Sequence, residues 1–155
     1  TLIISRLILD RLIVFLPTVD AGRVTIERLR EKKCYRMTGN VTTENNGGFI
    51  QMRVNINSDM PEKNYNGIYL ETYGNNLKYA VHIRTAYTKL PWQYYSSKFI
   101  AKNKWEQIRL PFDNFGQSNF YQPNKFNYNN IKTIGIVAGF NNFKADISVS
   151  EIGFY

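Results

Sequence analysis

The sequence predicts an all-β protein, an antiparallel β-sandwich or jelly roll. Short runs of alternating apolar and polar residues recur along the chain, and turns rich in Asn and Gly separate them about every ten residues. No helical pattern of convincing length follows residue 22. Aromatic residues make up 15% of the chain, and their flat rings pack well on a pleated sheet. Many short strands with frequent turns are typical of a sandwich.

The clearest strand follows the turn at residues 45–48, where two asparagines and two glycines accept the backbone conformations that a turn requires. Beyond it, Ile50 and Met52 alternate with Gln51 and Arg53. A period of two indicates a strand with one buried face and one solvated face. The solvated face therefore carries an arginine.

The same pattern predicts eight further strands. In chain order, we predict strands at residues 23–29, 34–43, 48–57, 67–73, 78–85, 92–100, 104–110, 131–138 and 144–155. A loop is expected at 59–64 and a turn at 74–76, and the Asn-rich segment 111–130 is expected to be a long irregular connection.

Residues 1–21 differ from the rest of the chain. Their apolar residues are interrupted by Arg6, Asp10 and Arg11, so each uncharged run is far shorter than the ~18 residues that a bilayer-spanning helix needs. We predict no membrane span there, but an amphipathic helix or a strand that ends at Pro17. The expected organisation is a divergent N-terminal segment, 1–21, followed by a single jelly-roll domain, 22–155.

Charge and rare residues exclude several function classes. The net charge is +8, with residues 1–36 and 37–155 each contributing +4 and no long basic run, which disfavours nucleic-acid binding. The single cysteine and single histidine exclude a disulfide framework and argue against a metal site. The glycines show no phosphate-binding spacing, so we expect no nucleotide cofactor.

Several segments resemble, in order, one known family. They are Gly39-Asn40-Val41, Glu44-Asn45-Asn46-Gly47-Gly48-Phe49, Arg53, Tyr65-Asn66-Gly67-Ile68, Ile83-Arg84, Trp92, Tyr94, Phe99, Trp105, Ile108-Arg109-Leu110-Pro111-Phe112 and Ile131-Lys132-Thr133-Ile134-Gly135. This combination is similar to the complex I intermediate-associated protein family, the thirty-kilodalton assembly-factor domain of NADH:ubiquinone oxidoreductase. The resemblance covers residues 22–155. Residues 1–21 lack the tryptophan-containing segment and acidic turn with which the family opens.

The resemblance implies a galactose-binding-like jelly roll, a fold that several carbohydrate-binding modules share. Its mitochondrial members help to assemble respiratory complex I and are not enzymes. It therefore implies a protein partner among respiratory-chain subunits. It also implies an intracellular location, cytoplasmic in a bacterium and mitochondrial in a eukaryote.

Strand alternation sorts the polar side chains into a candidate binding face. If the central strands share one sheet, that face combines Arg53, Tyr69, Glu71, His82, Arg84, Trp92 and Tyr94. Aromatic rings and arginines of this kind serve as anchors for a protein partner, and rings also stack on sugars. The structural alternative is cross-strand pairing of Arg53 or Arg84 with Glu71.

No catalytic constellation is visible. His82 resembles a general base, but no nucleophile or orienting carboxylate stands beside it in sequence. Cys34 lies in an alternating strand and is expected to be a small buried hydrophobe. Together with this absence, the family resemblance implies a non-catalytic protein-binding module that acts as a chaperone or scaffold. The alternative is a carbohydrate-binding jelly roll that uses Arg84, Trp92 and Tyr94.

Overall fold

The computed structural model of the chain describes residues 5–6, 13–15, 22–42, 48–56, 64–139 and 141–155. This part of the chain holds twelve β-strands and two short 3₁₀ helices. The strands are β1 Ser5–Arg6, β2 Ile13–Phe15, β3 Gly22–Leu29, β4 Lys32–Val41, β5 Phe49–Asn55, β6 Gly67–Tyr73, β7 Leu77–Thr85, β8 Tyr95–Ala101, β9 Glu106–Pro111, β10 Gly116–Gln117, β11 Ile131–Gly139 and β12 Phe143–Phe154. The helices span Phe112–Asn114 and Tyr128–Asn130.

The strands form two antiparallel sheets, which confirms the predicted fold class. Sheet I has the order β3-β4-β12-β6-β9, and β1 pairs with the end of β12. Sheet II has the order β10-β8-β7-β11-β5-β2. The chain crosses repeatedly between them, with β5 in sheet II, β6 in sheet I and β7 in sheet II. Antiparallel sheets joined by such crossings make a jelly roll.

The core lies between the two sheets and follows the alternation of the strands. On β5 and β7 of sheet II, Ile50, Met52, Val81 and Ile83 point inward. Sheet I supplies apolar side chains to the same core; they include Ile68, Leu70, Ile147, Ile152 and Phe154. Burial of each such side chain contributes about 1.5–3 kcal/mol. The residues between them on β5 and β7 therefore face outward.

A buried tyrosine joins the two sheets. The hydroxyl of Tyr79 on β7 donates to Asn75 Oδ1 at 2.7 Å and accepts from the backbone N–H of Asp146 on β12 at 2.9 Å. Burial raises the pKa of Tyr79 to about 12, so the hydroxyl keeps its proton near neutral pH. Sheet II is thus hydrogen-bonded to sheet I through the core.

The β3–β4 hairpin has a two-residue turn made of Arg30 and Glu31. Both have positive φ, 46° and 71° respectively, as a hairpin turn that matches the strand twist requires. Glycine or asparagine usually occupies these positions, because a Cβ disfavours a left-handed backbone. This turn therefore carries conformational strain.

All nine predicted strands are present, within three residues at their ends. Strand β8 begins at Tyr95 instead of residue 92, because residues 91–92 still belong to a turn. The two-residue β10 was not predicted. The turn predicted at 45–48 and the loop at 59–64 lie largely outside the described residues. Within 1–21, where helix and strand were both left open, the structure describes two short strands, and the division of the chain at residue 21 stays a prediction. None of the helical segments in the described ranges has the length and apolar character that a membrane crossing needs.

Candidate binding face

Arg53 and His82 lie in the same cross-strand row of sheet II, on two strands separated by one strand. Gly135 on β11 pairs with Arg53 on β5 and with His82 on β7. Since adjacent strands lie about 4.8 Å apart, the two backbones are separated by about 10 Å with only a glycine between them. A Cβ at Gly135 would lie 2.8 Å from Cδ of Gln51, so the Gln51 side chain lies over the glycine. We call the outward side of these strands the sheet II face, defined by Gln51, Arg53, Lys78, His82, Arg84, Ser96, Lys98 and Thr133.

Arg84 lies at the next level of the same face. Thr133 on β11 pairs with Arg84 on one side and with Asn55 on the other. Nη2 of Arg84 donates to the carbonyls of Thr88 at 2.9 Å and Leu90 at 3.0 Å. Arg84 therefore holds the loop that follows β7 close to the sheet II face.

Arg53 and Arg84 are electrostatic neighbours. Burial, and then the positive charge of Arg53, lower the pKa of the Arg84 guanidinium. The Nε of Arg53 is buried and has no hydrogen-bond partner among the described residues. The expected alternative, pairing of either arginine with Glu71, is wrong, because Glu71 lies on sheet I and pairs with Lys32.

His82 is stacked on Tyr94. Their ring centroids are 4.0 Å apart and their planes differ by 10°. Burial lowers the pKa of His82 to about 4, so the imidazole is neutral near pH 7. The backbone of Tyr94 is held by Ser118, whose hydroxyl accepts from the Tyr94 N–H at 3.0 Å. The stack therefore forms a fixed planar surface beside the arginines.

Charge is divided unequally between the two sheets. The described strands of sheet II contain no Asp or Glu, but they carry Arg53, Lys78, Arg84, Lys98 and Lys132. In sheet I several acidic residues have basic partners. Arg36 binds Asp146 at 2.8 Å and Glu27 at 3.2 Å, and Lys32 pairs with Glu71. Positive charge on the sheet II face thus has no acidic counterpart within the described strands of that sheet.

Two loops carry exposed aromatic rings at one end of the sandwich. Tyr87 and Trp92 lie between β7 and β8 and are 70% and 61% exposed, while Phe120 and Tyr121 follow β10 and are 77% and 81% exposed. The loops are joined, because the Ser118 hydroxyl donates to the Trp92 carbonyl at 2.7 Å. We call this cluster, Tyr87, Trp92, Phe120 and Tyr121, the aromatic loop end.

The structure brings together most of the predicted face but not all of it. Arg53, His82, Arg84 and Tyr94 converge on the sheet II face, and Trp92 lies in the adjoining loop. The expectation that Tyr69 and Glu71 share this face is wrong. Both lie on β6, which pairs with β9 and β12 in sheet I. The Tyr69 hydroxyl donates to Glu151 at 2.6 Å, and its ring is buried.

Several residues of the site were not found by sequence reasoning. Phe120 and Tyr121 lie in an irregular segment without periodicity, where two adjacent aromatic residues in an Asn-rich loop were the available signal. Lys78 and Lys98 also lie on the sheet II face. The sequence feature that could have predicted a basic face is the absence of acidic residues from 72–101 and from 131–139.

The chemistry of His82 gives no support for a hydrolytic site. Ser96 pairs with His82 across β8 and β7, which places a hydroxyl beside the imidazole. A pKa of about 4 makes this imidazole a weak base near neutral pH, and the described strands of sheet II provide no carboxylate to orient it. Within the described ranges, no group of three or more His, Cys, Asp or Glu side chains is arranged to hold a metal ion. Cys34 is buried, as expected, and burial raises the pKa of its thiol.

Solved structures with the same architecture place the domain in the galactose-binding-like jelly-roll class. The family 11 carbohydrate-binding module of cellulosomal cellulase Lic26A-Cel5E of Clostridium thermocellum superposes with a TM-score of 0.74 at 14% identity, covering 98% of this chain and 95% of that chain. The Clostridium thermocellum family 11 module in complex with a β-1,3-1,4-mixed-linked tetrasaccharide gives 0.75 at 14% identity, covering 97% and 94%. A family 30 carbohydrate-binding module gives 0.66 at 9% identity, covering 99% of both chains. At identities this low, these superpositions show a shared fold alone.

The sequence itself identifies the family. The family model of Complex I intermediate-associated protein 30 (CIA30) matches residues 21–149, and the chain belongs to this family. No curated protein matched the chain significantly. The domain is therefore a jelly roll of the CIA30 family, as the resemblance implied.

Proposed function

We propose that this domain is a non-catalytic protein-binding module that acts as a scaffold or chaperone in the assembly of a respiratory-chain complex. The observation that carries this proposal is the aromatic loop end. Family membership supports the choice of partner, the subunits of NADH:ubiquinone oxidoreductase. The location that fits this role is intracellular, mitochondrial in a eukaryote and cytoplasmic in a bacterium.

The aromatic loop end has the composition of a protein-binding surface. Monomeric proteins rarely expose large contiguous apolar patches, and those that do often use them for binding. Tyr and Trp supply a large contact area at low entropic cost and dominate interface energetics. Phe120 and Tyr121 pack on each other, with ring centroids 3.9 Å apart, although both are largely exposed.

The loops that carry these rings are held in place. Gln122 is buried and donates through Nε2 to the Tyr94 carbonyl at 2.7 Å, while Asn119 accepts from the Tyr121 N–H at 3.1 Å. Arg84 fixes the other loop through Thr88 and Leu90. Because both loops are ordered before binding, a partner does not bear the full entropic cost of ordering them.

Affinity purification from extracts of the source cells tests this function. Wild-type protein is expected to retain complex I subunits, and the double variant Trp92→Ala/Tyr121→Ala is expected to lose them by at least tenfold. Ile26→Ala, which removes a 62% exposed side chain from sheet I, is the matched control and is expected to bind like wild type. Equal recovery of the subunits with all three proteins, or none with wild type, contradicts the proposal.

A second function is favoured by the His82–Tyr94 stack. A flat, fixed ring pair next to Arg84, with Trp92 in the adjoining loop, has the elements that sandwich modules use for sugars, and one structural neighbour was solved with a bound tetrasaccharide. Calorimetry with mixed-linked β-glucan oligosaccharides separates the two functions. If wild-type protein gives heat of binding and Trp92→Ala gives none, the ligand is a carbohydrate. If wild-type protein gives no heat of binding but retains complex I subunits in the affinity purification, the partner is a protein.

A further inference from the structure

We propose that Arg53, Arg84 and Thr133 form a binding site for one oxyanion group, a carboxylate or a phosphate, on the sheet II face. The site lies on three adjacent strands, β5, β7 and β11, and includes none of the aromatic residues of the aromatic loop end, although Arg84 also holds the loop between β7 and β8. It therefore does not depend on the protein-binding function proposed above.

The register of the strands brings these three side chains to one area. Thr133 pairs directly with Arg84, and Gly135, two residues further on, pairs with Arg53. All three side chains are outward-facing, since Ile134 between Thr133 and Gly135 belongs to the core. Strand β11, between the two arginines, presents a threonine and a glycine at these positions, so no large side chain of β11 separates the guanidinium groups. The Gln51 side chain of β5 lies over the glycine.

Two of the three groups are hydrogen-bond donors that lack an acceptor. The Nε of Arg53 and the Oγ1 of Thr133 are both buried, and neither has a partner among the described residues. Buried polar groups in folded proteins are nearly always paired, so two unpaired groups on adjacent strands call for an explanation. An oxyanion that accepts from both would supply it.

Charge points to the same class of ligand. The two arginines lie on a sheet whose described strands hold no carboxylate, and the positive charge of Arg53 adds to burial in disfavouring the charged form of Arg84. Folding has therefore placed two like charges together on a sheet whose described strands supply no carboxylate to compensate them. A guanidinium presents a planar fork of donors that fits carboxylate and phosphate oxygens, and such charge-assisted bonds are the strongest of their kind.

The bonds of Arg84 leave most of its donors available. Both of its hydrogen bonds to described residues come from Nη2, to the carbonyls of Thr88 and Leu90. These bonds orient the guanidinium without neutralising it, because carbonyls carry no net charge. Arg84 is thus positioned beforehand, which lowers the entropic cost of anion binding.

Thermal unfolding of wild-type protein in sodium chloride, inorganic phosphate or glutarate, at matched ionic strength, tests the site. We expect phosphate, glutarate or both to raise Tm by about 3 °C over chloride when the anion reaches ten times its Kd. The arm that responds identifies the chemistry of the oxyanion. Arg53→Met is expected to abolish the anion-dependent rise in Tm. Arg28→Met removes an equal charge from an exposed position on β3 and is expected to show the same rise as wild type.

A second variant keeps the test decisive if Arg53→Met fails to fold. Thr133→Val preserves the shape of the side chain and removes the hydroxyl, and it is expected to weaken anion binding about tenfold. The proposal is overturned if neither anion shifts Tm beyond chloride. It is also overturned if Arg53→Met and Thr133→Val respond like wild type, which would show general screening of surface charge.

Discussion

The imidazole of His82 lies parallel to the phenol ring of Tyr94, with centroids 4.0 Å apart. His82 is only 9% exposed, and burial lowers its pKa from 6.5 to about 4. Protonation therefore favours the unfolded chain. The stability that the neutral imidazole contributes is fully present above pH 6.5 and is lost as the pH falls towards 4, by about 3 kcal/mol.

Because His82 is the chain's single histidine, NMR titration of its Hε1 proton gives a direct measurement. We expect a midpoint near 4. His82→Gln is the control for stability, because it removes the titrating imidazole. The unfolding free energy of this variant should decline less between pH 7 and pH 4 than that of wild type. A midpoint near 6.5 would show that the stack leaves the imidazole accessible to water.

The positive φ of Glu31 in the β3–β4 turn makes glycine a stabilising substitution at this position. Glu31 has φ of 71°, a conformation that costs a side-chain-bearing residue about 1 kcal/mol and glycine almost nothing. Glu31→Gly should raise the unfolding free energy by about 0.5–1 kcal/mol in urea denaturation. Glu31→Ala removes the same charge but keeps the Cβ, so it should give no such gain. Equal stabilisation by both variants would assign the effect to charge.

Gly74 lies in close contact with another strand. A Cβ at this position would meet the Cβ of Ala101 and lie 2.6 Å from its carbonyl oxygen, which is backbone and cannot move aside cheaply. Gly74→Ala should therefore destabilise the domain by about 1–3 kcal/mol in chemical denaturation. Gly116→Ala is the matched control, because a Cβ there meets nothing within 4 Å. Its effect should stay within about 0.5 kcal/mol, and equal effects at both glycines would contradict the packing argument.

Gln122 holds the loop that carries Phe120 and Tyr121. Its Nε2 donates to Tyr94 at 2.7 Å, and its Oε1 accepts from Asn119 at 3.1 Å. Gln122→Ala removes both of these hydrogen bonds and should cost about 1–2 kcal/mol. Amide exchange of residues 118–122 should accelerate. The exposed Gln107 on β9 provides the control, since Gln107→Ala should change neither measurement.

Strand positions could be predicted from the sequence because side-chain alternation is a local property. The strand Gly67–Tyr73 was predicted at its observed bounds, and the strand containing Ile50, Met52 and Val54 was predicted with the correct inward face. Sheet membership is set by pairing between distant segments. Strand β6 pairs with β9 and β12, so Tyr69 and Glu71 were assigned to the correct side of their own strand but to the wrong sheet.

The candidate face was only partly predictable for the same reason. Arg53 and His82 become neighbours through Gly135, which is more than 50 residues distant from either in sequence, and nothing local to Arg53 shows this pairing. The aromatic loop end depends on a hydrogen bond between Ser118 and Trp92. Loops follow no period that would place Phe120 and Tyr121 beside Trp92.

Ion pairing in sheet I has a consequence for how the domain meets other molecules. Carboxylates offset part of the positive charge of sheet I, as Asp146 and Glu27 do at Arg36, while the described strands of sheet II hold basic residues and no acidic ones. The resulting dipole moment exerts a torque on the domain near any negatively charged body. We therefore expect sheet II to face such a body first, and we expect added salt to lower the association rate before it weakens any contact.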